Sequence, residues 1–105
     1  MKKIYYVDCD SEYACKGYLT QNINELGYWG FYPNKRQGIV AIKKATKLAL
    51  KEYAKEIEKE KDKGNTITID LWETMVRDDF DTENDSIWGI DNRNLIASKV
   101  LCGGY

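Results

Sequence analysis

The residues best suited to catalysis in this chain are three aspartates. Asp8 and Asp10 flank Cys9 at the end of a β-branched and aromatic run, and Asp70 lies in a second such run. Carboxylates at strand ends are typical of divalent-metal sites, because hard oxygen ligands suit Mg²⁺. One interpretation is therefore a small metal-dependent phosphoesterase or nuclease that uses Asp8, Asp10 and Asp70. We favour the simpler interpretation, in which the acids after the first run cap a helix.

The complete absence of histidine narrows the chemistry further. It excludes Ser-His-Asp and Cys-His nucleophile systems and histidine-ligated zinc. It also leaves no side chain whose ordinary pKa lies near neutrality, so acid–base chemistry would require strongly shifted carboxyl, Lys, Tyr or Cys groups. We therefore expect a protein that is not an enzyme and that carries no cofactor.

A run of acids between residues 78 and 91 is the main candidate for binding a partner. It holds six acidic residues, no Lys or Arg, and two aromatic residues. A segment with this charge does not belong in a core, and it could imitate phosphates to a basic groove. A calcium-binding loop is not expected, because Asn84 stands where the turn requires glycine. The predicted partner-binding residues are Asp78, Asp79, Phe80, Asp81, Glu83, Asp85, Trp88 and Asp91.

An aromatic run over residues 28–32 is a third candidate, and the bases Lys35 and Arg36 follow it. Aromatic rings beside basic side chains are typical of RNA-binding surfaces, so an RNA-binding module using Tyr28 to Tyr32 is a further alternative. Farther along, a lysine recurs at every fourth position. We interpret this column as the solvated face of a helix. Its members are Lys43, Lys47, Lys51, Lys55, Lys59 and Lys63.

The elements that would position these residues follow from hydrophobic periodicity. Alternation and β-branched content predict strands, and spacings of three and four predict helices. The predicted segments are a strand over 2–9, a helix over 12–26, a short strand or turn over 28–33, a long helix over 38–63, a strand over 66–76, a short strand over 87–90 and an ambiguous segment over 94–102.

One stripe of side chains is predicted to bury the long helix against the sheet. It consists of Ile39, Ile42, Thr46, Ala49, Leu50, Tyr53 and Ile57. The resulting order, β-α-β-α-β-β with an uncertain last element, predicts an α+β (or small α/β) fold. We expect one domain over residues 1–105, in which one long and one shorter helix pack on a sheet of three to four strands.

Cysteine usage and charge indicate the cellular compartment of the protein and the classes of partner that it binds. The three cysteines are odd in number and form no Cys-x-x-Cys pair, and no stretch is long and apolar enough to span a bilayer. We therefore expect a cytoplasmic protein that does not bind a membrane. The net charge of -1 gives no reason to expect direct nucleic-acid binding. The charge is unevenly placed, however, with +5 over residues 35–63 and -5 over residues 64–105.

These observations lead to a small, non-catalytic protein-binding module as the preferred function. The expected partner is a protein with a basic nucleic-acid-binding groove, which the acidic run would occupy in place of phosphates. An inhibitor of a nucleic-acid-handling host enzyme fits this description. Such inhibitors suit a phage or another mobile element, in an anti-defence, anti-CRISPR-like role.

Overall fold

The computed structural model describes residues 1–11, 19, 22–23, 26, 30–81 and 93–102. Its strands form one antiparallel sheet in the order β2-β1-β3-β4, and the two helices whose full length is described follow β2 in the chain. The elements are β1 (Lys2–Ser11), β2 (Phe31–Tyr32), α1 (Lys35–Glu52), α2 (Ala54–Asp62), β3 (Ile67–Val76) and β4 (Arg93–Cys102). The prediction of a small α+β fold with three to four strands is therefore confirmed.

Two of the predicted elements fall mainly outside the described residues. Of the helix predicted over 12–26, the structure describes helical backbone at Leu19, Asn22 and Ile23, and the Ile23 side chain is buried. The strand predicted over 87–90 lies outside the described residues altogether. The ambiguous C-terminal segment is resolved, because residues 93–102 form strand β4.

The sheet has two faces with different neighbours. β1 and β3 pair over ten consecutive positions, so alternate side chains of both strands share a face. On the helix-covered face, side chains of β1 and β3 pack with side chains of α1 and α2 to form the core. The strand residues of this face in the core are Tyr5, Cys9, Ile67, Ile69 and Leu71. The alternation predicted for residues 67–72 is thus confirmed. We call the opposite side the second face, and it includes Tyr6, Asp8, Asp70, Trp72 and Thr74.

Helix α1 packs unusually close to the sheet because its buried residues are small. They are Gly38, Ala41, Ala45 and Ala49, with Ile42 as the one large member. A methyl group at Gly38 would lie 2.8 Å from Leu71 Cδ1 and 3.4 Å from Tyr5 Cβ. A larger residue at this position would therefore force the Leu71 side chain or the helix to shift.

The long helix predicted over 38–63 is two helices in the structure, and it starts earlier. The Asn34 side chain accepts a hydrogen bond from the Gln37 amide at 2.9 Å and caps α1. The break is at Tyr53, where φ is -123° and ψ is 31°. In a straight helix Ile57 would lie about 80° round the axis from Ala49. The break returns Ile57 to the core that Ala49 occupies.

The predicted apolar stripe is correct except at Leu50. Ile42, Ala49 and Ile57 are buried, whereas Leu50 is 45% exposed. At 100° per residue, Gly38, Ala45 and Ala49 lie close together round the axis of α1, and Leu50 lies about 120° from their common direction. The actual face is completed by Ala41 and the other small residues, which a search for large apolar side chains overlooks.

The described cysteines behave as small buried hydrophobes. Cys9 and Cys102 are both buried and free of any disulfide, as the sequence predicts. Burial raises the pKa of the Cys102 thiol above its ordinary value, which favours the uncharged form. The remaining cysteine, Cys15, lies outside the described residues.

Candidate functional site

A turn that follows β3 carries the first acids of the predicted partner-binding segment. The Phe80 amide donates to the Arg77 carbonyl at 3.0 Å, and Lys2 Nζ donates to the Phe80 carbonyl at 3.4 Å. The Phe80 ring meets Phe31 edge-on, with 5.4 Å between ring centroids. Phe80 therefore fixes the turn to the second face of the sheet through its ring and its backbone. We call residues 78–81 the acidic turn.

The carboxylates of the acidic turn point into solvent. The side chains of Asp78 and Asp79 are 80% and 77% exposed. Asp78 meets the amino group of Met1 at 3.1 Å, and Asp79 meets Arg77 at 3.4 Å. Surface ion pairs of this kind contribute about 0–1 kcal/mol to stability. A basic partner can therefore replace them at little cost.

The rest of the predicted partner-binding segment is not described. Asp81 is exposed and ends the described part of the turn. Glu83, Asp85, Trp88 and Asp91 lie outside the described residues, so their assignment stays a prediction from the sequence.

Arg93, the first residue of β4, is a residue that sequence reasoning missed. Its guanidinium lies 3.9 Å from the centre of the Trp72 ring, and it donates to the Tyr6 hydroxyl at 3.2 Å. A cation over an indole ring is a favourable contact. The undescribed acidic segment is thus bounded by Phe80 on one side and Arg93 on the other, both fixed on the second face. The sequence offers one signal for this residue: Arg93 is the first basic residue after the acidic run over residues 78–91.

Two aspartates of the metal hypothesis, Asp8 and Asp70, lie next to each other within the sheet and not at the strand ends. Asp8 and Asp70 are direct partners across β1 and β3, with Asp10 two positions farther on the same strand. Trp72 Nε1 donates to Asp8 Oδ1 at 3.3 Å, and Ser98 Oγ donates to Asp70 Oδ1 at 2.6 Å. These hydrogen bonds orient the two carboxylates within the sheet. In the described part of the chain, no three acidic or cysteine side chains are grouped so that they could hold a metal.

We expect Mg²⁺ or Mn²⁺ at millimolar concentration to leave the melting temperature unchanged. An ion that binds only the native state stabilises it by an amount that grows with the logarithm of its concentration above the dissociation constant. Two carboxylates already engaged by Trp72 and Ser98 make a poor site. Differential scanning calorimetry with and without the ions measures this directly. A rise that disappears in Asp8→Asn with Asp70→Asn would instead establish a metal centre on the second face.

The aromatic run of the RNA-binding alternative is partly used inside the fold. The Phe31 ring lies between Tyr6 and Phe80, with centroid distances of 6.3 and 5.4 Å. Tyr32 pairs with Tyr5 across β2 and β1 and packs partly against the core. Tyr28 and Trp29 lie outside the described residues. A stacking surface that uses the whole run therefore has only Tyr32 left among the described rings.

One titratable pair links β1 to β3 on the helix-covered face. The Tyr5 hydroxyl donates to Glu73 Oε2 at 2.8 Å, and Lys3 Nζ lies 3.9 Å from Glu73 Oε1. The hydrogen bond to the Glu73 carboxylate raises the pKa of Tyr5, and burial adds to the effect. Both causes favour the protonated phenol.

This raised pKa predicts how stability depends on alkaline pH. A group that binds its proton more tightly when folded contributes stability below its unfolded pKa, here about 10, and loses it as the pH rises through the folded value. We expect the free energy of unfolding to fall above about pH 10, and to fall less steeply in Tyr5→Phe. Urea denaturation across that range measures both. Parallel curves for the two proteins would show that Tyr5 is not the group responsible.

No helix among the described residues is both long enough and apolar enough to cross a membrane. Comparison of the chain with protein-family models, with curated proteins and with solved structures finds no match.

Proposed function

We propose that this protein is a non-catalytic binding module that occupies a basic groove of a partner protein. The acidic segment from residue 78 to residue 91 is the part that enters the groove, and the partner is a nucleic-acid-handling enzyme whose phosphate-binding site is blocked. An inhibitor encoded by a phage or another mobile element against a cytoplasmic host enzyme is the specific form of this proposal.

The observation that carries the proposal is the anchored, solvent-facing acidic turn. Phe80 fixes the turn against Phe31, while Asp78 and Asp79 remain more than three-quarters exposed. A fixed array of charges loses less conformational entropy on binding than a mobile one. It also steers a basic partner toward the site during encounter, at a range set by the ionic strength.

The sequence adds support for binding rather than catalysis. Histidine is absent, and the six acids between residues 78 and 91 have no base among them. A segment whose charges all have one sign suits recognition of a surface of the opposite sign.

Capture from a cell lysate tests the proposal. The immobilised protein is incubated with nuclease-treated lysate, so that nucleic acid cannot bridge it to other proteins. We expect it to retain a protein whose binding to a labelled nucleic-acid duplex falls when the free chain is added. Neutralising the turn with Asp78→Asn, Asp79→Asn and Asp81→Asn should abolish both capture and competition.

A matched control exists on α2. Glu56, Glu58 and Asp62 are exposed and form no ion pair with described residues. Changing them to Gln, Gln and Asn alters the net charge by the same amount at a different place. Capture that is lost equally in both triple variants, or that survives neutralisation of the turn, would contradict the proposal.

A further inference from the structure

The solvent side of α1 is basic along its whole length. At 100° per residue, five bases fall within an arc of about 100° that faces away from the buried residues. The same arc holds Val40, which is 47% exposed, and it contains no acid. We call this surface the basic arc, and its charged members are Arg36, Lys43, Lys44, Lys47 and Lys51.

The charges of the basic arc are available to a ligand. None of its five bases forms an ion pair with a described residue, whereas Lys3, Lys63 and Arg77 each do. Taken over its full length, α1 has six bases and one acid. Acidic residues elsewhere make the whole chain nearly neutral, but they do not cancel the field of the basic arc. At physiological ionic strength, the field of an exposed charge is screened beyond about 8–10 Å.

A groove opens at one end of the basic arc. It has a volume of about 710 Å³, within the range of roughly 300–1,000 Å³ that ligand sites in proteins occupy. Two bases, one aromatic ring and no acid contribute to its lining. The lining residues are Tyr32, Asn34, Arg36, Gln37, Val40, Ala41 and Lys44.

We propose that the basic arc and its groove bind single-stranded nucleic acid. The phosphates lie along the arc from Arg36 to Lys51, a distance of about 23 Å along the helix. One nucleobase enters the groove and packs against Tyr32 and Val40, and the phosphate of the same nucleotide lies beside Arg36 and Lys44. The pairing of a basic track with an aromatic-lined recess is the arrangement that single-stranded nucleic acid requires.

The groove decides between the classes of polyanion. A run of Asp and Glu side chains would satisfy the lysines but offers no aromatic ring to the recess beside Tyr32. A duplex would present phosphates while its bases stay paired and stacked, so it would leave the recess empty. This surface is separate from the acidic turn, and neither proposal depends on the other.

Fluorescence anisotropy with a labelled oligothymidylate tests the inference. With five phosphates engaged, the logarithm of the binding constant should fall with the logarithm of salt concentration with a slope of about -3.5. Lys47→Glu with Lys51→Glu should weaken binding on the order of tenfold at low salt and reduce the slope by about 1.4. Val40→Glu, at an exposed groove position, should weaken binding with a smaller change in slope.

The matched control is Lys59→Glu with Lys61→Glu on α2, where both lysines are also exposed. It makes the same change in net charge and should leave the affinity within about twofold, because its charges lie outside the arc. Circular dichroism establishes that each variant remains folded. Lys47→Gln with Lys51→Gln repeats the test without introducing acids.

Three results would overturn the inference. They are equal losses in the arc and control variants, tighter binding of a duplex of the same length, and displacement of the oligonucleotide by polyglutamate at equal charge concentration. None of these results bears on capture by the acidic turn. That capture is measured with different variants and with a protein partner.

Discussion

Replacing Leu71 by alanine is expected to lower the free energy of unfolding by about 2–5 kcal/mol. The Leu71 side chain is fully buried in β3, at the centre of the helix-covered face. Its removal opens a cavity directly beneath α1, where Gly38 makes the closest approach to the sheet. Urea denaturation measures the loss. Lys51→Ala, on the exposed side of α1, serves as the reference and should cost less than about 0.5 kcal/mol.

The same contact predicts a strong coupling between helix and strand. In the wild type, Gly38→Ala places a methyl group 2.8 Å from Leu71 Cδ1, and overpacking of this kind costs about 1–3 kcal/mol. In the Leu71→Ala background that clash is gone. The methyl then fills part of the cavity, and alanine is favoured over glycine in a helix by about 1 kcal/mol.

We therefore expect Gly38→Ala to destabilise the wild type and to stabilise the Leu71→Ala protein. The coupling energy of this double-mutant cycle should be at least about 1 kcal/mol. Additive effects of the two substitutions would mean that α1 does not pack on β3 at this point, and the fold as described would be wrong.

Local patterns in the sequence predict local elements well. The alternation from Ile67 to Trp72 predicts both the strand and its two faces, because strand periodicity needs no knowledge of the partner strand. The helical spacing of Ile42, Ala49 and Ile57 similarly predicts which side of α1 and α2 is buried. Both predictions are confirmed.

Short-range signals also account for the errors in the long helix. Apolar periodicity predicts a start at Gly38, but Asn34 caps the helix one turn earlier. Hydrophobicity alone predicts Leu50 in the stripe, although its position round the helix axis points it outward. The break at Tyr53 has no proline or glycine to announce it, and it follows from where Ile57 must pack.

Contacts distant in sequence could not be predicted. Asp8 opposite Asp70, Phe80 on Phe31, and Arg93 over Trp72 all depend on strand order and register. A single sequence shows the residue types but not which strands become neighbours. The sequence therefore predicts a charged, solvent-facing acidic segment, whereas the anchoring of the acidic turn through Phe80 emerges only in the folded sheet.

The basic partner that the acidic segment captures should show association kinetics controlled by the acidic turn. Charges near a binding site raise the association rate by steering, and added salt reduces that gain. Aromatic anchors contribute more to residence time. On this basis Trp88→Ala should mainly accelerate dissociation, while charge reversal in the turn should mainly slow association.

The proposal that the acidic turn recognises the partner is tested by a double variant that carries both Asp79→Lys and Asp81→Lys. The quantity measured is the rate constant for its association with the captured partner, by stopped-flow fluorescence across a range of salt concentrations. The account predicts association slower by about tenfold at low salt, with a much flatter salt dependence. Glu56→Lys with Glu58→Lys on α2 makes the same change in net charge and should have a much smaller effect. Equal rates for the two variants would contradict the claim that the acidic turn is the surface the partner recognises.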